Sequence, residues 1–194
     1  VDKHVDDISS LNVVLVADLH LGYSIGCSDM EKMVDRINAL NPDVVIYAGD
    51  IFDNDYDALD DPERLVEIMR NVSAAYGSYA VFGNHDVTET LVGGFSTASR
   101  TKAFRDPRME TFLEQAGINI MLDEVTTIAD GKINLIGRLD GEKAGDGTSN
   151  RKDLSELVKR CDMSKPVIVI NHEPDKLHET AAMGVDVMLS GHTH

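Results

Sequence analysis

Cysteine and basic residues are scarce in this sequence of 194 residues, and long apolar runs are absent. The two cysteines, Cys27 and Cys161, lie far apart in no CxxC spacing, which predicts free thiols rather than a thiolate metal site. No apolar run approaches the ~18 residues that span a bilayer. Only 18 Lys and Arg oppose 34 Asp and Glu, so the formal net charge is −16. Because general nucleic-acid-binding proteins normally carry a basic face, this charge argues against that class, whereas acidic residues can hold metal ions.

Apolar strands and amphipathic helices alternate along the sequence. The segments LNVVLVADLH, PDVVIYAGD and SYAVFGNHD are runs that end abruptly in polar residues, as strands buried on both faces do. The segments between them predict helices and a βαβαβ order. Asp130-Gly131 predicts a two-residue hairpin, so we expect antiparallel strands to join the parallel ones. We therefore expect a single α/β domain over residues 1–194, with helices at 28–40, 62–76, 107–117, 152–160 and 175–184 and further strands at 166–170 and 185–190.

Polar residues with metal-ligand chemistry follow each long strand. Five of the seven histidines fall at such strand ends, together with aspartates and asparagines. Because the carboxyl ends of parallel strands lie at one edge of a sheet, we expect these side chains to converge in one crevice. The residues are Asp18, His20, Asp50, Asn84, His85, Asn171, His172, His192 and His194.

Imidazole, carboxylate and amide groups make a nitrogen and oxygen donor set. Such a set suits Mn²⁺, Fe, Zn²⁺ or Mg²⁺. Glycines directly before Asp50, Asn84 and His192 let the backbone turn sharply and approach an ion or a phosphate closely. Each short motif alone is better explained by a loop turn, but together, in order at strand ends, they predict a metal site.

The motifs DLH, GD, GNHD, NHEP and GHTH, in this order, resemble those of the calcineurin-like metallophosphoesterase family. That family carries D-x-H, G-D, G-N-H-[DE], a later histidine and G-H-x-H, and the resemblance extends from Asp18 to His194. Within the family, DLHLG and NHEP are similar to the bacterial YkuE-type phosphohydrolases. The resemblance implies a metallophosphoesterase-type α/β/β/α sandwich of mixed sheets with flanking helices. Family members continue past G-H-x-H with strands that complete the second sheet, so we expect an incomplete second sheet here and a C-terminal part of the domain beyond the sequence.

The resemblance also implies a role for each site residue. One metal ion is expected on Asp18, His20, Asp50 and His194, and the other on Asp50, Asn84, His172 and His192, so that Asp50 bridges the two ions. His85 binds no metal in the family and is expected to hydrogen-bond the phosphate or to protonate the leaving oxygen. Asp86, and Asp53 with it, are expected to orient His85.

The activity implied is hydrolysis of a phosphate mono- or diester, or of a pyrophosphate, by attack of a metal-bridging hydroxide at a binuclear site. The cofactors would be two divalent ions, with Mn, Fe or Zn favoured and Mg as a further option. Two ions about 3.5–4 Å apart lower the pKa of a shared water and polarise phosphoryl oxygens, so no protein nucleophile is needed. Their charge also reconciles an acidic chain with an anionic substrate. Two alternatives stay open: a non-catalytic scaffold that keeps the fold, and a protein that stores or senses metal.

The substrate and the location of the protein are left open by the sequence. The resemblance to YkuE-type phosphohydrolases favours a nucleotide-lipid or phospholipid substrate, followed by a nucleotide or small molecule, and then by a phosphoprotein or nucleic acid. Arg100, Lys102, Arg105 and Arg108 form a basic cluster that could meet a phosphate or an anionic lipid surface, although a solvated loop face explains it better. The sequence begins at Val1 without a secretory signal, so we expect a trimmed start, with a membrane anchor as one option. A cytoplasmic or membrane-associated bacterial protein is the expectation.

Overall fold

Two four-stranded sheets lie face to face and carry helices on their outer sides. The structure is a computed structural model that describes residues 3–5, 7–88, 91–92, 95–96, 103–145 and 150–194. This α/β/β/α layering confirms the fold that the family resemblance predicted. Both cysteines are free, as expected. Among the described residues, no helix is long and apolar enough to cross a bilayer.

The first sheet contains four parallel strands. They are β1 (Val13–Val16), β2 (Val44–Ala48), β3 (Ser78–Val81) and β6 (Ile118–Ile120), in the order β1-β2-β3-β6. A separate antiparallel hairpin of β4 (Leu91–Val92) and β5 (Phe95–Ser96) follows β3 in the chain. All five residues of β2 are buried, because helices cover one face of the sheet and the second sheet covers the other. This double burial explains the unbroken apolar run in the sequence.

Three helices cover the outer face of the first sheet. They are α1 (Cys27–Ala39), α2 (Pro62–Arg70) and α3 (Pro107–Gln115). Met30, Val34 and Ile37 follow the three- and four-residue spacing of one helix face and pack into the core between α1 and the sheet. Asp61 caps α2 by accepting the N–H of Arg64, and a proline occupies the first turn.

The second sheet is mixed. It contains β7 (Glu124–Ile128), β8 (Ile133–Gly137), β9 (Val167–Ile170) and β10 (Val187–Leu189), in the order β10-β9-β8-β7, with β7 antiparallel to β8. Side chains of β9 alternate between two cores, since Ile168 and Ile170 face the first sheet while Val167 and Val169 face outward. The outer side is covered by the helices α4 (Leu154–Val158) and α5 (Leu177–Ala182).

Two expectations from the residue pattern need correction, and one is confirmed. The antiparallel strand β7 pairs with β8, which is parallel to β9, so an antiparallel strand joins parallel ones as predicted, in the second sheet. The hairpin between β7 and β8 has a four-residue connection, residues 129–132, in which Ala129, Asp130 and Gly131 all have positive φ. Helix α2 ends at Arg70 rather than at residue 76, and the side chain of Asn71, just after it, donates to a carbonyl of the last turn. Helices α4 and α5 are likewise shorter than predicted.

Candidate metal centre

The side chains predicted as metal ligands lie at the carboxyl ends of strands in both sheets. The first sheet contributes Asp18, His20, Asp50 and Asn84, and the second contributes His172, His192 and His194. Hydrogen bonds join the sheets at this edge. Nδ1 of His172 donates to the carbonyl oxygen of Ala48 at 2.8 Å, and the backbone N–H of His192 donates to the carboxylate of Asp18 at 2.9 Å. The site is therefore formed where the two sheets meet.

A first group of possible metal donors consists of Asp18, His20 and His194. One ligand atom from each lies within 4.8 Å of the others. The rings of His20 and His194 are stacked, with their centroids 5.4 Å apart and their planes 15° apart. Asp18 and His20 are partly buried and His194 is exposed, so this group lies on the solvent side of the site.

A second group consists of Asp50, His172 and His192, again with one atom of each within 4.8 Å. Nε2 of His172 lies 3.1 Å from Oδ2 of Asp50. Oδ1 of Asn84 lies 3.1 Å from Nε2 of His172 and 3.1 Å from Nδ1 of His192. Four nitrogen and oxygen donors thus converge on one point, which is the arrangement that a divalent ion requires.

Asp50 and His172 form a buried ion pair within this second group. Burial lowers the pKa of His172, but the hydrogen bond and charge of Asp50 outweigh it and raise the pKa to about 9. Burial raises the pKa of Asp50, but His172 outweighs it and holds the pKa below its usual value. A histidine that binds a metal is neutral, so an ion bound by both side chains must displace the shared proton.

Backbone strain marks the same residues. Five of the predicted ligands have a left-handed backbone, with φ of 55° at Asp18, 48° at His20, 51° at Asp50, 72° at His192 and 48° at His194. Aspartate and histidine tolerate this region better than most residues, but each instance still costs on the order of 1 kcal/mol. Eight further described non-glycine residues have positive φ, among them the N-caps of α2 and α5, so this conformation does not by itself identify a functional site.

Two glycines beside the ligands are required for reasons of space. A Cβ on Gly49 would lie 2.5 Å from Nδ1 of His172, and a Cβ on Gly83 would lie 2.3 Å from Oδ1 of Asp50. Both distances are far below any normal contact. The sequence predicted that these glycines let the backbone approach an ion or a phosphate, whereas the groups that approach them in the structure are the ligand side chains of neighbouring strands.

Gly83→Ala is expected to weaken metal binding by about 10–100-fold, because the added methyl group must push Asp50 or His172 out of place. The measurement is metal content by plasma mass spectrometry after dialysis against graded concentrations of a chelator. Gly26→Ala is the matched control, since its Cβ would meet only the flexible end of Asp60, at 3.0 Å. Equal metal retention by the two variants would contradict the steric role of Gly83.

The ring of His85 is held by Asn54, a residue that the sequence patterns did not single out. Nδ1 of His85 donates to Oδ1 of Asn54 at 2.7 Å, and the backbone N–H of His85 donates to Oδ1 of Asp50 at 2.8 Å. The ring centroid lies 5.0 Å from that of His20, and 43% of the His85 side chain is exposed. His85 therefore borders the metal ligands and remains open to a substrate.

Asp53 lies between two histidine rings. Its Oδ1 is 3.6 Å from Nδ1 of His20 and 3.8 Å from Nδ1 of His85, and these three residues form a third group with donor atoms within 4.8 Å. The distances are too long for hydrogen bonds. Asp53 therefore makes no direct hydrogen bond to the ring of His85.

The hydrogen bonds of Asp86 go to the backbone and not to the ring of His85. Its two carboxylate oxygens accept the N–H groups of Phe52 and Gly83, both at 2.7 Å. The side chain is fully buried, and burial raises its pKa to about 7. Asp86 was expected to orient His85; its carboxylate holds the backbone at Phe52 and Gly83 around the ring, and the side chain that bonds the ring itself is Asn54.

The described residues of the predicted basic cluster form ion pairs with acidic residues of the same chain. Arg105 is almost fully buried and pairs with Glu110 at 2.8 Å, and Arg108 pairs with two aspartates, at 2.6 and 2.7 Å. Arg100 and Lys102 lie outside the described residues. The two described arginines thus have intramolecular partners, and nothing in their contacts indicates a substrate site.

Comparison with known proteins places these motifs in a family. The model of the calcineurin-like phosphoesterases matches residues 11–194. The chain is 29% identical to a transmembrane protein with metallophosphoesterase domain from Danio rerio, over 100% of this chain and 42% of the relative. It is 24% identical to the UDP-2,3-diacylglucosamine pyrophosphatase LpxG of Chlamydia trachomatis, over 99% and 66%. It is 27% identical to the uncharacterized metallophosphoesterase YkuE of Bacillus subtilis, over 94% and 57%.

The chain thus spans between 42% and 66% of the length of these relatives. The family match covers nearly the whole chain, and the motifs that carry it come together at the edge where the two sheets meet. The chain therefore belongs to the calcineurin-like phosphoesterase family.

Proposed function

We propose that this chain is a phosphohydrolase that uses two divalent metal ions. The observation that carries the proposal is the pair of adjacent donor groups, one containing Asp18 and the other Asp50. The backbone N–H of His20, in the first group, donates to the carbonyl of Asp50, in the second, at 3.0 Å. One ion is assigned to Asp18, His20, Asp50 and His194, and the other to Asp50, Asn84, His172 and His192, with Asp50 as the bridge.

The residues fit such ions chemically. All donors are nitrogen or oxygen, which suits Mn, Fe or Zn, while the many imidazoles make Mg a weaker fit. Asp50 is 2% exposed and His172 is fully buried, so bulk water cannot satisfy their charge. An ion between them would satisfy both groups, and burial would strengthen the interaction.

The chain's own residues would place the substrate and move a proton. When bound, two such ions supply Lewis acidity at the phosphoryl oxygens and a water of near-neutral pKa for in-line attack. His85 fits the role of a general acid, because its ring borders the ligand groups and its Nδ1 is engaged with Asn54. With Nδ1 bound to Asn54, Nε2 is the nitrogen that would carry the second proton of a doubly protonated ring and donate it to the leaving oxygen.

For the substrate, we propose a phosphate ester or pyrophosphate attached to a lipid. The names of two relatives support this choice: LpxG is a pyrophosphatase of UDP-2,3-diacylglucosamine, and the Danio rerio relative is a transmembrane protein. A membrane anchor outside this chain would bring the site close to such a substrate. The charge of the bound ions would make an anionic substrate compatible with the net charge of −16.

Protein loaded with Mn²⁺ is expected to hydrolyse bis-p-nitrophenyl phosphate or p-nitrophenyl phosphate, to lose this activity with a chelator and to regain it with added metal. Release of p-nitrophenol is the measurement. The same protein should cleave a lipid-linked sugar nucleotide with a higher kcat/KM than the corresponding nucleotide sugar without the lipid. A metal-loaded protein that hydrolyses no phosphate ester would exclude the enzyme and leave a scaffold or a metal-storage protein. An equal kcat/KM for both sugar nucleotides would refute only the lipid preference.

A further inference from the structure

Asn54 makes three hydrogen bonds to the segment that carries His85. Its backbone N–H donates to the carbonyl of His85 at 2.9 Å, its Nδ2 donates to the carbonyl of Val87 at 3.1 Å, and its Oδ1 accepts from Nδ1 of His85 at 2.7 Å. Asn54 is 6% exposed and has a left-handed backbone with φ of 59°. The residue is therefore held firmly in one position beside the His85 ring.

The orientation of the Asn54 amide decides which nitrogen of His85 carries a hydrogen. Because Nδ2 is committed to the carbonyl of Val87, the atom that faces the ring is the carbonyl oxygen Oδ1, which can only accept. The ring must then donate from Nδ1. The partner of one imidazole nitrogen sets the tautomer, and so determines what the other nitrogen can do.

Neither of the two carboxylates near the ring, Asp53 and Asp86, accepts the hydrogen of Nδ1 in place of Asn54. Asp53 approaches Nδ1 of His85 only to 3.8 Å, and it lies as close to His20. Both oxygens of Asp86 accept backbone N–H groups. A neutral amide, and not a carboxylate, is thus the direct partner of the ring.

We propose that Asn54 is a positioning residue: its Oδ1 keeps Nδ1–H of the neutral His85 ring bound, so that Nε2 faces the reacting phosphate ester and is the nitrogen that takes up a second proton and then delivers it to the leaving oxygen. The catalytic consequence rests on the proposed function, whereas the tautomer does not. Removal of the amide leaves the ring free to rotate and to adopt the neutral Nε2–H form, in which the second proton adds to Nδ1 and Nε2 no longer faces the substrate in a fixed direction.

The first test measures the tautomer of His85 and does not depend on enzymatic activity. Nitrogen-15 chemical shifts of the imidazoles are recorded at a pH where His85 is neutral, and the His85 signals are assigned with the His85→Ala variant. The wild-type protein should show His85 protonated at Nδ1, and Asn54→Ala should shift the population toward Nε2–H. A wild-type ring protonated at Nε2, or a tautomer unchanged by Asn54→Ala, would overturn the proposal.

The second test is a double-mutant cycle on the hydrolysis of an ester with a poor leaving group. Asn54→Ala should lower kcat by about 10–100-fold with little change in KM or in bound metal. In combination with His85→Ala it should cause no further loss, because Asn54 acts through His85. Asn54→Asp keeps an acceptor for Nδ1 and should recover part of the lost rate. Additive losses in the double variant would contradict action through His85.

Asn134→Ala is the matched control for a purely structural effect. Asn134 is 2% exposed, and its side chain makes three hydrogen bonds, with Asp162 and Pro166. Its removal should lower thermal stability without changing the tautomer of His85 or the dependence on the leaving group. If the wild-type protein hydrolyses no ester, the proposed function fails, while the nitrogen-15 spectra still decide the role of Asn54.

Discussion

Asp50→Asn is expected to bind neither metal ion tightly and to lose phosphoesterase activity. The loss should exceed the about 10–100-fold that is typical of residues that only support a ligand. Asp50 is the buried carboxylate of the second donor group, 3.1 Å from Nε2 of His172, and it accepts the backbone N–H of His85 at 2.8 Å. Asparagine has nearly the same size but no charge, and its amide nitrogen cannot bind a cation. Plasma mass spectrometry measures the loss of bound metal, and hydrolysis of bis-p-nitrophenyl phosphate measures the loss of activity.

The matched control for Asp50→Asn is Asp123→Asn. Asp123 is 1% exposed and its carboxylate accepts two backbone N–H groups, from Leu139 and Lys152, but it belongs to none of the three donor groups. This variant should lose stability and keep its metal. If Asp50→Asn retained two ions per chain, the bridging role would be wrong.

His85→Ala is expected to keep both metal ions and to lose turnover by about 10²–10⁴-fold on an ester with a poor leaving group, as removal of a general acid does. On p-nitrophenyl esters the loss should be smaller, because that leaving group needs less help from a proton. The half-exposed ring of His85 lies beside His20, and its Nδ1 is occupied by Asn54. The comparison of kcat for the two types of ester is the measurement.

The exposed His178 on α5 provides the control for this variant, since His178→Ala removes an imidazole away from the strand ends. Unchanged turnover of His85→Ala on the poor leaving group would exclude the general-acid role. Loss of a metal ion from His85→Ala would instead make His85 a ligand.

The sequence predicted the strands and the position of the candidate ligands at their carboxyl ends, because both depend on local patterns. Strands such as β2 are unbroken apolar runs, since they are buried on both faces, and the residue after each run begins a loop at the carboxyl edge. Asp18, Asp50 and His172 could therefore be placed at strand ends from the sequence alone. Which of them belong to which ion came only from the family resemblance and remains a proposal.

The division into two sheets could not be read from the residues. A buried parallel strand such as β9 has the same apolar pattern whichever sheet it joins, because sheet membership depends on pairing between distant segments. The contact of Asn54 with His85 was missed for the same reason, since the two residues are 31 positions apart and meet only after β2 and β3 pair. The sequence favoured Asp86 as a partner of His85 because the two residues are adjacent, but the carboxylate of Asp86 accepts backbone N–H groups.

The most direct test of the account is a titration of chelator-treated protein with Mn²⁺ that records bound metal and hydrolysis of bis-p-nitrophenyl phosphate together. With Asp50 shared between two ions, activity should rise mainly with the second equivalent and level off at two ions per chain. Full activity at one ion per chain would contradict the binuclear site. Two bound ions with no hydrolysis of any phosphate ester would contradict the assignment of the chain as a phosphohydrolase.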